Sequence, residues 1–121
     1  MDAEEFKRRT KTLGLDVIRL VDALPRRSSA QVIGRQLLRA ATSVGANYRA
    51  ACRGRSAADV IAKLSIVLEE VDETAYWLEL LVESGLVPAG KVQPLLTEAD
   101  EVTAMTVASL KTLKARYPRK S

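Results

Sequence analysis

The chain has 121 residues, with 19 Lys and Arg, 15 Asp and Glu, no His and one Cys. This length indicates one domain, and a hydrophobic content of 47 % is typical of a folded protein rather than a disordered one. One cysteine excludes an intramolecular disulfide and a Cys-rich zinc site, and the lack of histidine excludes Ser-His-Asp, Cys-His and His-based metal chemistry within one chain.

Charge is unevenly distributed along the sequence. Residues 1–58 hold 12 basic and 5 acidic groups, residues 59–110 hold 2 basic and 10 acidic groups, and residues 111–121 hold 5 basic groups. This asymmetry predicts complementary faces that meet within the fold or between subunits, or a basic surface for a polyanion. Because no run of 18 apolar residues occurs and the acidic start lacks a signal-peptide core, we expect a cytoplasmic protein with no membrane partner.

Apolar residues at three- and four-residue steps predict helices, and Gly and Pro separate them into four segments. The first helix is expected over about residues 2–24 and the second over about residues 28–53. Ser28 and Gln31 have the spacing of a capping box at the start of the second helix. Gly54 is suited to the left-handed position that follows a helix.

The third and fourth helices have equally clear ends. Ser56 is the predicted N-cap of the third helix, with Asp59 in its first turn, and Gly85 ends it. Its apolar stripe is wider than one face of an amphipathic helix requires. The fourth helix is expected to begin at Pro88 and to close at Pro118.

No run of residues alternates with the period of two that a strand requires. Four helices of about 20–28 residues with short connections predict an all-α, antiparallel up-down four-helix bundle. We expect one domain over residues 1–117 and a basic tail over residues 118–121.

Two motifs resemble a known family. The first is Arg-Ala-Ala-x-Ser-x-x-Ala-Asn over residues 39–47, and the second is the stretch Glu-Val-Asp-Glu-Thr-Ala-Tyr-Trp over residues 70–77. On these motifs the chain resembles the bacterial 23S rRNA-intervening-sequence proteins across residues 6–115. A relative of that family is the accessory variability determinant of diversity-generating retroelements.

The resemblance implies a four-helix bundle that assembles as a homopentameric ring around a central channel. The retroelement relative is a basic pentamer that binds nucleic acid and a reverse transcriptase, and the resemblance implies a similar kind of role. For most members of the family no biochemical activity is established. We therefore expect a protein that is not an enzyme and that uses no cofactor and no metal.

Polar residues on the second and third helices are spaced to face one another. They are Arg39, Ser43, Asn47, Glu70, Glu73 and Trp77. Because a guanidinium can hold a carboxylate with two bonds, we predict a buried inter-helix network in which Arg39 pairs with Glu73 or Glu70. No nucleophile and no base with a shifted pKa accompanies these residues. We therefore interpret the network as structural, fixing the register and orientation of helices in the bundle or between subunits.

A second set of candidates is basic and lies near helix ends. Its members are Arg49, Arg53, Arg55, Lys111, Lys114 and Arg116, joined by Arg26, Arg27, Arg119 and Lys120. These residues predict phosphate contacts repeated around a ring, or else a solvated surface with salt bridges to the acidic third helix of a neighbouring subunit. Few aromatic residues are available for base stacking, so nucleic-acid binding would be directed at the backbone.

A pattern of glutamates suggests a more specific alternative function, that of a magnesium-dependent enzyme. The pattern Glu69-Glu70-x-x-Glu73, followed by Glu98-x-x-Glu101, is similar to the magnesium-binding motif of all-α nucleoside-triphosphate pyrophosphohydrolases. Glu101 stands where that motif has Asp. A ferritin-like di-metal site cannot form in this chain, because it requires His ligands. Cys52 is expected to be a small buried helix residue rather than a nucleophile.

The function favoured by the sequence is a non-catalytic scaffold or adaptor that binds RNA, DNA or a nucleic-acid enzyme through repeated basic surfaces. The first alternative is a structural or protein-binding ring with no nucleic-acid role. The second alternative is the magnesium-dependent pyrophosphohydrolase.

Overall fold

The computed structural model describes residues 2–118, and four long helices make up nearly all of them. The helices are α1 Ala3–Asp22, α2 Ser28–Cys52, α3 Ala57–Glu83 and α4 Ala89–Arg116. No strand is present between residues 2 and 118, so the prediction of an all-α four-helix bundle is confirmed. The predicted tail has only residue 118 within this range, and residues 119–121 lie outside it.

The capping residues explain where the helices begin. As predicted, Ser56 is the N-cap of α3, and its hydroxyl accepts a hydrogen bond from the backbone N–H of Asp59 at 3.1 Å. The predicted capping box of α2 is wrong, because Arg27 is the N-cap and makes no side-chain hydrogen bond there. The serine that follows it already has helical geometry, so its hydroxyl is one position too late to cap the helix.

Two glycines near helix ends serve different purposes. Gly85 ends α3 as predicted, and it is the only residue between 2 and 118 with a positive φ, at 80°. The prediction of a left-handed Gly54 is wrong, and space explains the glycine instead. A Cβ at Gly54 would lie 2.4 Å from Val60 Cγ2 and 3.1 Å from the Ala51 carbonyl oxygen.

The helices surround one apolar core. α2 packs on α1 and α3, α4 packs on α3, and a looser contact between α1 and α4 completes the cycle. The largest fully buried side chains come from all four helices, and they include Leu13, Leu37, Leu78, Leu81, Val17, Val44, Val67, Val71, Val92 and Val102. Most of these residues belong to the predicted apolar stripes.

Three threonines are buried among these aliphatic side chains, which the apolar pattern did not indicate. Thr10, Thr74 and Thr106 are each at most 1 % exposed. Each hydroxyl donates to the backbone carbonyl four residues earlier, at 3.0, 2.8 and 2.7 Å. The hydroxyl is therefore satisfied within its own helix and needs no partner across the core.

Aromatic stacking and small residues bring α1 close to α2. The rings of Phe6 and Tyr48 stack with their centroids 3.9 Å apart and an interplanar angle of 3°. Further along, a Cβ at Gly45 would lie 3.5 Å from Thr10, so this position allows close backbone approach. The stacked pair places the start of α1 beside the end of α2.

The same end of the bundle contains an apolar cavity of about 440 Å³ where α2, α3 and α4 meet. It is lined by Tyr48, Ala51, Cys52, Val60, Leu64, Ala108, Ser109, Thr112 and Leu113. Cys52 is exposed, so the prediction that it is buried is wrong. The cavity shows that the end of α2, the start of α3 and the end of α4 lie together.

Within residues 2–118, none of the helices combines the length and the apolar character that are needed to cross a lipid bilayer.

Candidate functional site

The α2–α3 clamp is an ionic cluster at the seam between those two helices, formed by Arg39, Glu70, Glu73 and Trp77. The Arg39 guanidinium donates to Glu70 Oε2 at 3.1 Å and also to Glu73 Oε2. Trp77 Nε1 donates to the same Glu73 oxygen at 3.2 Å. Four of the six residues of the predicted network thus lie in contact.

Ser43 and Asn47 do not join this cluster. The Ser43 hydroxyl donates to the Arg39 carbonyl at 2.8 Å, and the Asn47 amide donates to the Ser43 carbonyl at 2.9 Å. Both bonds stay within α2, because a short polar side chain reaches the carbonyl one turn earlier more easily than a neighbouring helix. The expected burial is also wrong, since the Arg39 side chain is 49 % exposed.

A second cluster, the α1–α4 clamp, was not predicted from the sequence. Arg9 donates from Nε to Glu98 Oε2 at 2.9 Å and from Nη2 to Glu98 Oε1 at 2.6 Å, which is a two-point pairing. It also donates to Glu101, and its Nη1 lies 3.6 Å from Met105 Sδ. The bonds to Glu98 and then to Glu101 raise the pKa of Arg9 above its ordinary value.

The two clamps share one arrangement and differ in burial. In each, an arginine bridges two glutamates that are three residues apart on the facing helix. The α1–α4 clamp shields its arginine better, because Arg9 is 23 % exposed and Arg39 is 49 % exposed. The α2–α3 clamp shields its glutamates better, at 18 % and 36 % exposed against 28 % and 56 %. The α1–α4 clamp lies where the helices are least closely packed, and we infer that it holds α1 onto α4.

The clamps also bear on the magnesium hypothesis. Four of the five glutamates of the proposed motif lie as two pairs at opposite seams of the bundle, and one arginine forms ion pairs with both members of each pair. Within residues 2–118, no three His, Cys, Asp or Glu side chains come close enough to hold a metal ion. Between residues 2 and 118, the glutamates of the motif are thus held in two separate clamps rather than gathered at one carboxylate site.

Five of the predicted nucleic-acid-binding residues lie at one end of the bundle, which we call the basic end. They are Arg53, Arg55, Lys111, Lys114 and Arg116, all of them exposed. The cavity between α2, α3 and α4 places the corner and the end of α4 together. Between residues 2 and 118, none of the five forms an ion pair with an acidic side chain.

The other basic candidates lie elsewhere. Arg26 and Arg27 precede α2, so they are separated from the basic end by the length of that helix, about 37 Å. Arg119 and Lys120 lie outside the described residues. Arg49 lies in a groove on the outer surface between α1 and α2.

This α1–α2 groove has a volume of about 830 Å³ and was not predicted. It is lined by the cations Lys7, Arg8, Lys11 and Arg49, by the acidic Glu4, and by the small or apolar residues Gly14, Leu15, Ile18, Gly45 and Ala46. Leu15 and Ile18 are 44 % and 38 % exposed. The apolar stripe of α1 gave no indication of the groove because these two residues lie beside the stripe rather than within it.

Comparison with known proteins agrees with this architecture. Residues 4–108 match the model of a family described as 23S rRNA-intervening sequence protein. The chain belongs to this family. The resemblance carried by the two sequence motifs is thereby confirmed.

One solved structure similar to this 23S rRNA-intervening sequence protein is the crystal structure of a protein with unknown function from the S23 ribosomal protein family of Bacteroides thetaiotaomicron VPI-5482. The two share 31 % sequence identity and a TM-score of 0.85, over 92 % of this chain and 99 % of that chain. Among curated proteins, none matches the sequence.

The family match covers the clamps and the groove but not the whole basic end. Residues 4–108 include both clamps, the α1–α2 groove and the corner with Arg53 and Arg55. Lys111, Lys114 and Arg116 follow the matched region. In this 23S rRNA-intervening sequence protein, the basic end thus combines residues from within the matched region with residues beyond it.

Proposed function

We propose that this 23S rRNA-intervening sequence protein is a non-catalytic homo-oligomeric scaffold that binds RNA or DNA through its basic end. The observation that supports this most directly is the grouping of five exposed, unpaired cations from two elements at one end of the bundle. A cation without a protein partner is free to replace the counterions of a phosphate backbone. The acidic first turn of α1 lies at the same end and bounds this surface on one side.

The composition of the basic end favours contact with phosphates over recognition of bases. Tyr117 is exposed at the end of α4, and the other described residues of this surface are cations or small side chains. Without a set of aromatic platforms, successive bases have little to stack on. Binding should therefore depend strongly on salt and weakly on sequence.

We also propose an antiparallel up-down arrangement of the helices and a homopentameric ring of bundles. The stacking of Phe6 on Tyr48 and the cavity between α2, α3 and α4 favour alternating helix directions. The family resemblance favours the pentamer. A net charge of +4 per chain becomes +20 in a pentamer, which would strengthen the attraction of a polyanion. The exposed free thiol of Cys52 fits a reducing compartment such as the cytoplasm.

The test is a binding titration with heterogeneous RNA and with duplex DNA across a series of salt concentrations. Wild-type affinity should fall steeply with salt, and K111E/K114E should lower the slope of log K against log salt by about 1.8 on duplex DNA if two phosphate contacts per chain are lost. R26E/R27E is the matched control, because it makes the same charge change at the other end of the bundle. Absence of binding at low salt, or equal weakening by both variants, would contradict the proposal.

A structural or protein-binding ring with no nucleic-acid role is the second candidate. Exposed apolar side chains on the outer surface favour it, and they include Leu15, Ile18, Ile66 and Tyr76. Light scattering separates the two candidates when it is combined with the titration. A stable oligomer that binds no nucleic acid would support this second function.

A further inference from the structure

Two surfaces of this chain are complementary in charge and shape. The first is the α1–α2 groove, whose lining combines the apolar Leu15 and Ile18 with the cations Lys7, Arg8, Lys11 and Arg49. Lys7 pairs with the exposed Glu4, whereas the other three form no ion pair with an acid between residues 2 and 118. The groove is therefore lined by four cations and one acid, so it presents net positive charge beside the apolar side chains of Leu15 and Ile18.

The second surface, which we call the α3 stripe, runs along the outward face of α3. Its members follow one another at steps of three and four residues, and they are Glu69, Asp72, Tyr76, Glu79 and Glu83. All five are exposed, and none of the four acids has an ionic partner between residues 2 and 118. Tyr76 is 54 % exposed at the centre of the stripe, so an apolar ring stands between two pairs of carboxylates.

We infer that the α1–α2 groove receives the α3 stripe of a second copy of this chain. The carboxylates would face the three free cations, and the Tyr76 ring would cover Leu15 and Ile18. Gly14 and Gly45 lie where α1 and α2 approach each other beneath the groove, because a Cβ at either position would face the other helix. Electrostatic complementarity of this kind fixes the orientation of two partners more than it adds affinity.

The lengths of the two surfaces agree. The groove residues of α1 from Lys7 to Ile18 span about 17 Å, and the stripe from Glu69 to Glu83 spans about 21 Å, at the helical rise per residue. The apolar residues of the lining also argue against a nucleic acid as the occupant. A phosphate backbone would leave the partly exposed Leu15 and Ile18 uncovered, whereas a tyrosine ring buries apolar area on them.

The groove and the stripe are different parts of one chain, which determines the type of assembly. A copy that inserts its stripe into a neighbour keeps its own groove open for the next copy. Such head-to-tail contacts close into a ring when the rotation allows it and otherwise continue as a filament. This inference rests on the homo-oligomer of the proposed function and names the contact that would build it.

Charge reversal on each side tests the contact. R8E/K11E and E69K/D72K, each of which reverses two charges three residues apart, should each convert the wild-type oligomer into monomers, measured by light scattering at micromolar concentration and about 150 mM ionic strength. The chain that carries all four substitutions restores opposite charges and should recover the wild-type mass. R26E/R27E is the control for the first variant and should leave the mass unchanged, and circular dichroism should show wild-type helix content throughout.

The outcomes separate this contact from the assembly itself. A wild-type monomer would overturn the homo-oligomer and this contact with it. A wild-type oligomer whose mass survives both charge reversals would overturn the contact alone. If R8E/K11E keeps its mass but loses affinity for RNA, the groove is a polyanion site and the contact is refuted.

Discussion

Arg9→Ala should destabilise the bundle more than any other single substitution of a charged residue described above. The substitution removes two hydrogen bonds to Glu98 and leaves that carboxylate, only 28 % exposed, without its partner. Hydrogen bonds to charged groups contribute about 1.5–3 kcal/mol, and exposed ion pairs contribute about 0.2–1 kcal/mol. Because Arg9 and Glu98 are each about three-quarters shielded, we expect a loss of about 2 kcal/mol in the free energy of unfolding.

Thermal and urea unfolding, monitored by circular dichroism, measure this loss. In a domain of this length about 2 kcal/mol corresponds to a fall of about 8 °C in Tm. Arg9→Lys keeps the charge but not the two-point geometry, and it should lie between wild type and Arg9→Ala. Arg19→Ala is the matched control, since Arg19 forms an exposed ion pair with Asp16 on the same helix and should cost about 0.5 kcal/mol or less.

Equal Tm values for Arg9→Ala and Arg19→Ala would refute this reasoning. That result would mean that the α1–α4 clamp contributes no more than a surface ion pair. Apolar packing alone would then hold α1 against α4.

Three further predictions follow from the geometry. Arg39→Ala should lower the free energy of unfolding, measured in urea, by about 1 kcal/mol, because the Arg39 side chain is half exposed. A loss of about 3 kcal/mol or more would show that the α2–α3 clamp is buried. Gly85→Ala should lower the free energy of unfolding by about 1 kcal/mol, because φ is 80° at that position. Gly90→Ala should instead raise the free energy of unfolding by up to about 1 kcal/mol, because there is open space around its Cβ in α4. A change of the same sign in both variants would contradict this prediction. Burial, and then the neighbouring Cys52, raises the pKa of Tyr48 above its ordinary value of about 10. The folded state resists this ionisation, so the wild-type free energy of unfolding should fall as pH rises above about 10, and Tyr48→Phe should flatten that fall.

The apolar pattern was sufficient to predict four helices and most of the core. Leu13, Val17, Leu37 and Val44 are buried where the stripes placed them, because a helix buries whichever face carries its apolar side chains. The burial of Thr10 was not predicted, because a hydroxyl makes threonine a polar residue in the pattern. Its hydrogen bond to the Phe6 carbonyl of the same helix allows it to lie in the core. Local pattern therefore identifies apolar core positions more reliably than polar ones.

The α2–α3 clamp was predictable in part, and the α1–α4 clamp was not. The spacing of Glu70 and Glu73 and the nearness of α2 and α3 in sequence indicated a partner for Arg39. Arg9 and Glu98 are 89 residues apart, so no local spacing relates them. The available signal was that Glu98-x-x-Glu101 repeats the Glu70-x-x-Glu73 spacing, but the partner helix depends on how the bundle closes.

By itself, the sequence determined the helical class, the family and the segregation of charge, because each follows from residue types at short spacings. Only the tertiary structure decided which charges neutralise each other. It divided four of the five glutamates of the apparent magnesium motif between two arginines at opposite seams, gathered five cations at one end, and opened the α1–α2 groove. These features depend on how helices distant in sequence are placed side by side, and helical periodicity within a single segment carries no information about that placement.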